Sequence, residues 1–307
     1  MTSTLLTCTS STRPGSPSTG DTLFETDTNK IITWDGTVWR AYLSDGTAVE
    51  DSDITDLSPH LWLDPSYADS FFTDSGKGTP VTADGERVGC YADRSGNDFD
   101  FVQSTQTDKP TLCLDAGVGS VASLVYSNSD QLDFVGTSGS EITAENITIF
   151  FVWRLPQEGN YYFVEGTTNS NNPRLRLDAS GDNLKYYWGP FGSADGGAAG
   201  VSFSSTALAP ENFSARHIYC LKTSSGDDRT YTYHNGGADI AGSTLAPTGV
   251  FLEEAETLKL FKGLYNYWSP HWLFEFLVFN SSLSDADVNT VNSYLGNKHS
   301  VAVTDVS

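Results

Sequence analysis

The sequence predicts an all-β protein: a small N-terminal β-meander, then a β-sandwich, with one short C-terminal helix. Three observations carry that expectation. Short runs of alternating apolar and polar residues recur along the chain, separated by turns rich in Gly, Asn and Asp. Gly and Pro together supply 40 of 307 residues, punctuation too frequent for long helices. One run, Ile147 to Trp153, is apolar almost without a break, as expected of a central strand covered on both faces.

Residues 1–50 stand apart. Ser10 to Gly20 is a Ser/Thr/Pro/Gly stretch that cannot propagate a helix and is expected to run extended. Three strand signals follow, Thr22 to Thr26, Lys30 to Trp34 and Thr37 to Tyr42, the last two separated by a strong hairpin turn, Asp35-Gly36. This meander carries Phe24, Ile32, Trp34, Trp39 and Tyr42. A unit of about thirty residues cannot bury such side chains alone, and below about 40 residues disulfides, metals or oligomerisation are usually needed. Those five residues are therefore the candidates for anchoring and self-association.

Residues 51–56 are polar and acidic and read as a solvated linker. Residues 57–307 read as the sandwich. Arg174 to Leu177, His217 to Lys222 and Arg229 to Tyr233 alternate as half-buried strands do, and Asn235-Gly236 reads as another hairpin turn. Leu258 to Leu264 and His271 to Phe279 make a further pair. The helix is signalled by Ser284 as N-cap with Asp287 three residues on, by Val288, Val291 and Leu295 on one face, and by Gly296-Asn297 as its end.

The net charge is −22, of which residues 51–256 hold −18. That surplus argues against nucleic acid, which needs a basic footprint, and against an anionic membrane surface. Residues 1–15 lack the basic and apolar regions of a signal peptide. Cys8, Cys90, Cys113 and Cys220 are widely spaced, with no metal-binding pattern. They read as free, mostly buried thiols, a Cys90–Cys113 bridge being the alternative.

Two stretches carry resemblances. Leu61-Trp62-Leu63-Asp64, then Gly89 to Asn97, Ile147 to Trp153, Tyr231 to Gly236 and Glu275 to Asp287, in that order, resemble the strands and turns of concanavalin-A/laminin-G-like domains, with Tyr91 where Trp is usual. The resemblance implies a jelly-roll sandwich. Arg13-Pro14-Gly15-Ser16-Pro17, Gly20 to Asn29 and Trp34 to Trp39 resemble a segment of tailed-bacteriophage virion proteins, particularly fibres and head or tail appendages of marine phages and cyanophages. It implies a structural virion protein assembled in the host cytoplasm, commonly a homotrimer, with capsid, neck or tail proteins as partners.

Catalysis finds almost no support. A glycosidase needs paired carboxylates, normally alternating on one strand face. Glu275 has no such acidic partner and reads as a structural carboxylate; no G-x-S-x-G or H-E-x-x-H is present. Glycan binding is the more serious reading, because sugars stack on aromatic rings while amides and carboxylates bond their hydroxyls. The candidates are Trp188 in Tyr186 to Phe191, and Tyr265, Tyr267, Trp268 and His271, with Trp272 read as core. No cofactor is expected; the alternative is calcium held by Asp93, Asn97 and Asp98, a turn more simply read as capped by its own side chains. The expected function is thus a virion appendage that anchors through residues 1–50 and displays a sandwich for host-glycan adhesion. A free lectin and a polysaccharide-cleaving enzyme are the alternatives.

Overall fold

The computed structural model of the chain describes residues 6–8, 12–25, 30–34, 39–42, 51–114, 122–126, 132–134, 142–143, 146–154, 159–166, 173–180, 183–190, 201–205, 215–226, 229–237, 250–252, 258–260 and 271–306. In several strands, including all those between 159 and 205, the description is of backbone pairing alone.

β1 (Leu6–Cys8), β2 (Thr22–Glu25), β3 (Lys30–Trp34) and β4 (Trp39–Tyr42) form one sheet in that order. The expected meander is β2–β4, antiparallel, with Leu23 opposite Ile32 and Trp34 opposite Trp39. β1 is an addition that no alternation announces, and it runs parallel to β2. The Asp35-Gly36 hairpin turn lies outside the described residues. Phe24, Ile32, Trp34, Trp39 and Tyr42 all fall on these strands; of the five, the described side chain is that of Trp34, half-buried.

Residues 51–56 are not a solvated linker. They form a helix, α1 (Asp51–Asp56), because Ile54 can be turned inward to full burial while the aspartates stay outward.

The chain then lays down β5 (Leu61–Leu63), β6 (Phe71–Phe72), β7 (Cys90–Tyr91), β8 (Phe101–Val102), β9 (Thr111–Cys113), β10 (Ser123–Tyr126), β11 (Leu132–Phe134) and β12 (Ile142–Thr143). There follow β13 (Thr148–Arg154), β14 (Gly159–Gly166), β15 (Pro173–Ser180), β16 (Asn183–Pro190), β17 (Val201–Ser205), β18 (His217–Ser224), β19 (Arg229–His234), β20 (Val250–Leu252), β21 (Leu258–Leu260), β22 (His271–Phe279) and the helix α2 (Asp285–His299). One sheet runs β19-β18-β13-β22-β10-β9, with β5 also paired to β22; the other runs β17-β16-β15-β14-β21-β11-β8-β7-β6. Pairing within both is antiparallel, as a sandwich requires. β13, the apolar run, lies between β18 and β22 with every residue but Arg154 buried.

α1 and α2 cover one face of the β13 sheet. Phe150 and Val152 of β13, Ile218 and Cys220 of β18, and Leu277 and Phe279 of β22 pack there with Ile54, Val288, Val291 and Leu295. Ser284 caps α2 as expected, its Oγ accepting from the Asp287 N–H at 3.2 Å. The helix does not stop at Gly296-Asn297. It runs to His299 and ends on Ser300 in the left-handed region (φ 57°), whose N–H donates to Gly296 O. Gly296 is a packing glycine: a Cβ there would stand 2.9 Å from Val301 O. Residues 291–296 are buried in succession, which covers α2 all round, and β4 lies against the helix.

The last residues form a strap. Val306 is buried in the core under α2, and its N–H donates to Asn289 Oδ1 at 2.6 Å. Asn235 and Gly236 both take the left-handed φ of a tight turn, and Thr304 makes a parallel bridge to Gly236, so this turn is also a docking point for the C-terminal strap. Gly236 has φ +74°, and a Cβ on it would lie 1.7 Å from Thr304 O. None of the four cysteines is in a disulfide; Cys90 and Cys220 are buried, Cys8 and Cys113 half-buried. Gly236→Ala is expected to destabilise the protein by at least about 2 kcal/mol in urea unfolding, through strain plus collision. Gly85→Ala, at φ +81° with nothing within 4 Å, should cost only the left-handed penalty of about 1 kcal/mol.

Candidate functional site

Two constellations of charge occupy the helix-covered face of the β13 sheet. The first is set by a bulge in β22. Val152 pairs with Glu275 and Trp153 with Leu273, which leaves Phe274 as the extra residue. The bulge puts the neighbours Phe274 and Glu275 on one face: Phe274 packs in the core under α2, and both meet His299 of that helix. Strict alternation would send one of them to the other side.

β5 pairs with β22 so that Leu63 faces Phe276. One step further the same register sets Asp64 opposite Glu275, two fully buried carboxylates on one face. Such a juxtaposition is destabilising without a cation. Lys298, from the last turn of α2, supplies one: its Nζ stands 2.7 Å from Asp64 Oδ2 and 3.0 Å from Glu275 Oε2, and donates to Tyr294 Oη at 2.8 Å. Glu275 also accepts from Trp62 Nε1 at 2.8 Å and pairs with His299 Nε2 at 2.7 Å. Burial alone would raise the Glu275 carboxyl; Lys298 first, then His299 and Trp62, outweigh it and bring it down to about 2. Burial holds His299 below the usual histidine range, so the neutral ring donates Nε2–H to Glu275.

Arg94 extends the network outward. Its guanidinium bonds Asp64 Oδ2 at 2.7 Å and Asp51 Oδ2 at 2.6 Å, and lies between the rings of Trp62 (4.1 Å) and Tyr67 (3.4 Å). Tyr294 donates to Asp51 Oδ1 at 2.7 Å. α1, β5, β22, the 93–98 turn and α2 are thereby joined in one bonded cluster.

That turn contains the calcium alternative. Asp93 Oδ1 accepts from the N–H groups of Trp62 and Ser95, and Oδ2 from Ser95 Oγ and the Phe99 N–H. Asn97 donates to His60 O and Ser95 Oγ, and Asp98 is exposed. The carboxylate of Asp93 is engaged as a turn cap, and among the described residues no group of three acidic, His or Cys residues could hold a metal.

The second constellation lies at the end of the sheet where β22 begins, β13 ends and β18 starts. Arg154 pairs with Trp272, its guanidinium 4.0 Å over the indole. Trp272 is half-buried and packs against the core, as the sequence suggested. Trp153 pairs with His217, so the next position sets Arg154 opposite Arg216. Arg216 is 6% exposed, stacks at 4.4 Å on Phe274, and donates to His299 O at 3.1 Å. Burial, then the charge of Arg154, push Arg216 down to about 10.

Of the proposed sugar-binding residues, Trp188 sits on β16 opposite Leu175 and Val201, and His271 opens β22 opposite Tyr126; their side chains lie outside the description. Tyr265, Tyr267 and Trp268 lie outside the described residues altogether. The arginine pair was missed because its members are 62 positions apart in sequence. The available signal was an Arg closing one apolar strand run and another immediately before the next.

No family model and no curated sequence matches the chain. Solved structures do match in fold. A botulinum neurotoxin type C structure, whose cellular uptake depends on two ganglioside molecules, is 14% identical with a TM-score of 0.53, over 80% of this chain and 53% of its own. The binding domain of botulinum neurotoxin serotype G is 11% identical with a TM-score of 0.53, over 78% and 51%. That of Paraclostridial mosquitocidal protein 1 is 15% identical with a TM-score of 0.51, over 67% and 50%. The chain thus shares a β-sandwich fold with binding domains and spans about half the length of each.

Glu275→Gln should leave Lys298 and Asp64 imperfectly matched in the interior and lower stability by about 3–5 kcal/mol. Because the folded carboxyl is depressed to about 2 from 4.5, its stabilisation is fully present above pH 4.5 and drains as pH falls toward 2. Urea titrations between pH 7 and pH 2 should therefore show a smaller acid loss for Glu275→Gln than for the parent.

Proposed function

We propose that this chain is a glycan-binding adhesion module of a phage virion, anchored and trimerised through residues 1–50, with the sandwich displayed outward. The observation that carries the binding part is the fold shared over 80% of the chain with a neurotoxin structure that depends on gangliosides. The aromatic segment from Tyr265 to His271 feeds directly into β22 and thus into the Trp272 corner. The virion part rests on the N-terminal resemblance, from Arg13 through Trp39. The near-balanced charge of that segment, against −18 in residues 51–256, suits an anchor that docks without repelling its own copies.

Binding is favoured over catalysis by the state of the sandwich's opposed acids. Asp64 and Glu275 are fully buried and bridged by Lys298, which suits support and leaves no carboxylate there to meet a glycosidic bond.

In a glycan array the full chain should bind host-surface saccharides without releasing reducing sugar. Trp268→Ala or Trp188→Ala should weaken binding by about tenfold, the worth of one stacked ring of about 1.4 kcal/mol. Native mass spectrometry should give a trimer, and labelled antibody should decorate particles in electron micrographs. Sugar binding by a monomer absent from particles would instead establish the free lectin.

A further inference from the structure

Lys298, Asp64 and Glu275 are an amine, a carboxyl in contact with it, and a second carboxyl beside both. The two acids are fully buried, and the Lys298 side chain is 17% exposed. Nζ stands 2.7 Å from Asp64 Oδ2 and 3.0 Å from Glu275 Oε2. The two oxygens of Asp64 have different surroundings. Oδ2 faces Lys298 and Arg94. Oδ1 accepts from the Ser66 N–H at 3.0 Å and from Ser66 Oγ at 2.7 Å. One oxygen thus meets the amine, and the other sits in a two-donor cradle of the kind that holds an oxyanion during acyl transfer.

We propose that Lys298 and Asp64 join in an amide bond that the protein forms by itself, with Glu275 as the proton carrier. Burial works against the Lys298 ammonium, but Glu275 and Asp64 outweigh it, so the amine is protonated at rest. The bond forms slowly, from the minor state in which one proton has crossed 3.0 Å to Glu275 Oε2. The freed Nζ lone pair attacks Asp64 Cγ and opens it to a tetrahedral centre. Charge on Oδ1 is met by the Ser66 N–H and Oγ–H, and charge on Oδ2 by Arg94. The second proton of the nitrogen and the one on Glu275 pass to Oδ2, and the Cγ–Oδ2 bond breaks with release of water. Nζ keeps its third proton as the amide N–H. One ammonium and one carboxylate become one amide and one water, Glu275 is regenerated, and no oxidant or cofactor is consumed. Two constraints favour the bond. The β5–β22 register and the last turn of α2 hold the reacting groups together, which makes the condensation unimolecular. The product removes one buried charge of each sign and leaves Glu275 its Trp62 and His299 donors. Lys222 supplies the contrast. Its Nζ is 2.6 Å from Asp285, but that carboxylate is 56% exposed, so water solvates the pair and keeps it ionic.

The bond closes residues 64–298 into a covalent ring, whatever the sandwich binds. Mass spectrometry of the purified full chain, followed during storage at physiological temperature, tests it. The parent should become lighter than its sequence by one water, about 18 Da, the mass lost when an amine and a carboxyl condense. In a tryptic digest, cleavage after Lys298 should disappear and residues 41–77 should emerge joined to residues 263–307. Fragmentation should place the link at Asp64 and Lys298, which separates it from dehydration of a single aspartate elsewhere. Lys298→Arg keeps a cation between the acids but offers no acylable amine, and it should retain the full mass. Glu275→Gln cannot accept the proton and should retain it too. A parent of full mass, with 41–77 and 263–298 recovered as separate peptides, overturns the proposal whatever the variants do. A link that forms as fast in Glu275→Gln as in the parent overturns Glu275 as the carrier, and a link at Lys222 in place of Lys298 overturns the argument from burial.

Discussion

Lys298 between Asp64 and Glu275 is the contact on which the arrangement of this protein turns. Neither carboxylate could remain in a dry interior alone, and the strand register puts them face to face. A single ammonium on the final turn of the final helix makes both tolerable. The first and last elements of the sandwich are therefore interdependent, although more than two hundred residues separate them. Arg94 and Tyr294 carry the same dependence out to Asp51, and so to the segment that leads in from the N-terminal sheet. Ionic contacts of this kind contribute less to net stability than to specification of one arrangement, because breaking one partner leaves the others stranded.

The helix that delivers Lys298 is an inner layer and not a lid. Its residues 291–296 are enclosed, with the β13 sheet beneath and β4 alongside. The small N-terminal sheet, too small to bury its aromatics alone, thus has at least one surface to lean on within its own chain.

Much of the fold was legible because it depends on local signals. The unbroken apolar run at Ile147 to Trp153 became β13, and Ser284 with Asp287 became a helix cap. What escaped depends on chain segments far apart. α1 looks like solvated linker until Ile54 finds a core to enter. Gly296 looks like a stop signal until Val301 and Val303 return across it and make it a packing position. Gly236 reads as a turn residue, and nothing local announces that Thr304 will dock on it. The sites follow the same division. Glu275 was recognisable as a structural acid in the apolar run Leu273 to Phe279, but its partners Lys298 and His299 were not, since the bulge at Phe274 decides which face it joins. Arg154 and Arg216 become a pair only through the β13–β18 register.

The thiols have a practical consequence. Burial pushes Cys90 up to about 12 and Cys220 higher still, so at neutral pH neither offers a reactive thiolate. Cys8, on β1 of the N-terminal sheet, and Cys113, on β9 of the sandwich, are both half-buried. Each part of the molecule therefore carries one half-buried sulfur. A fluorophore or spin label on both would report the separation of the N-terminal sheet and the sandwich without a single residue being changed.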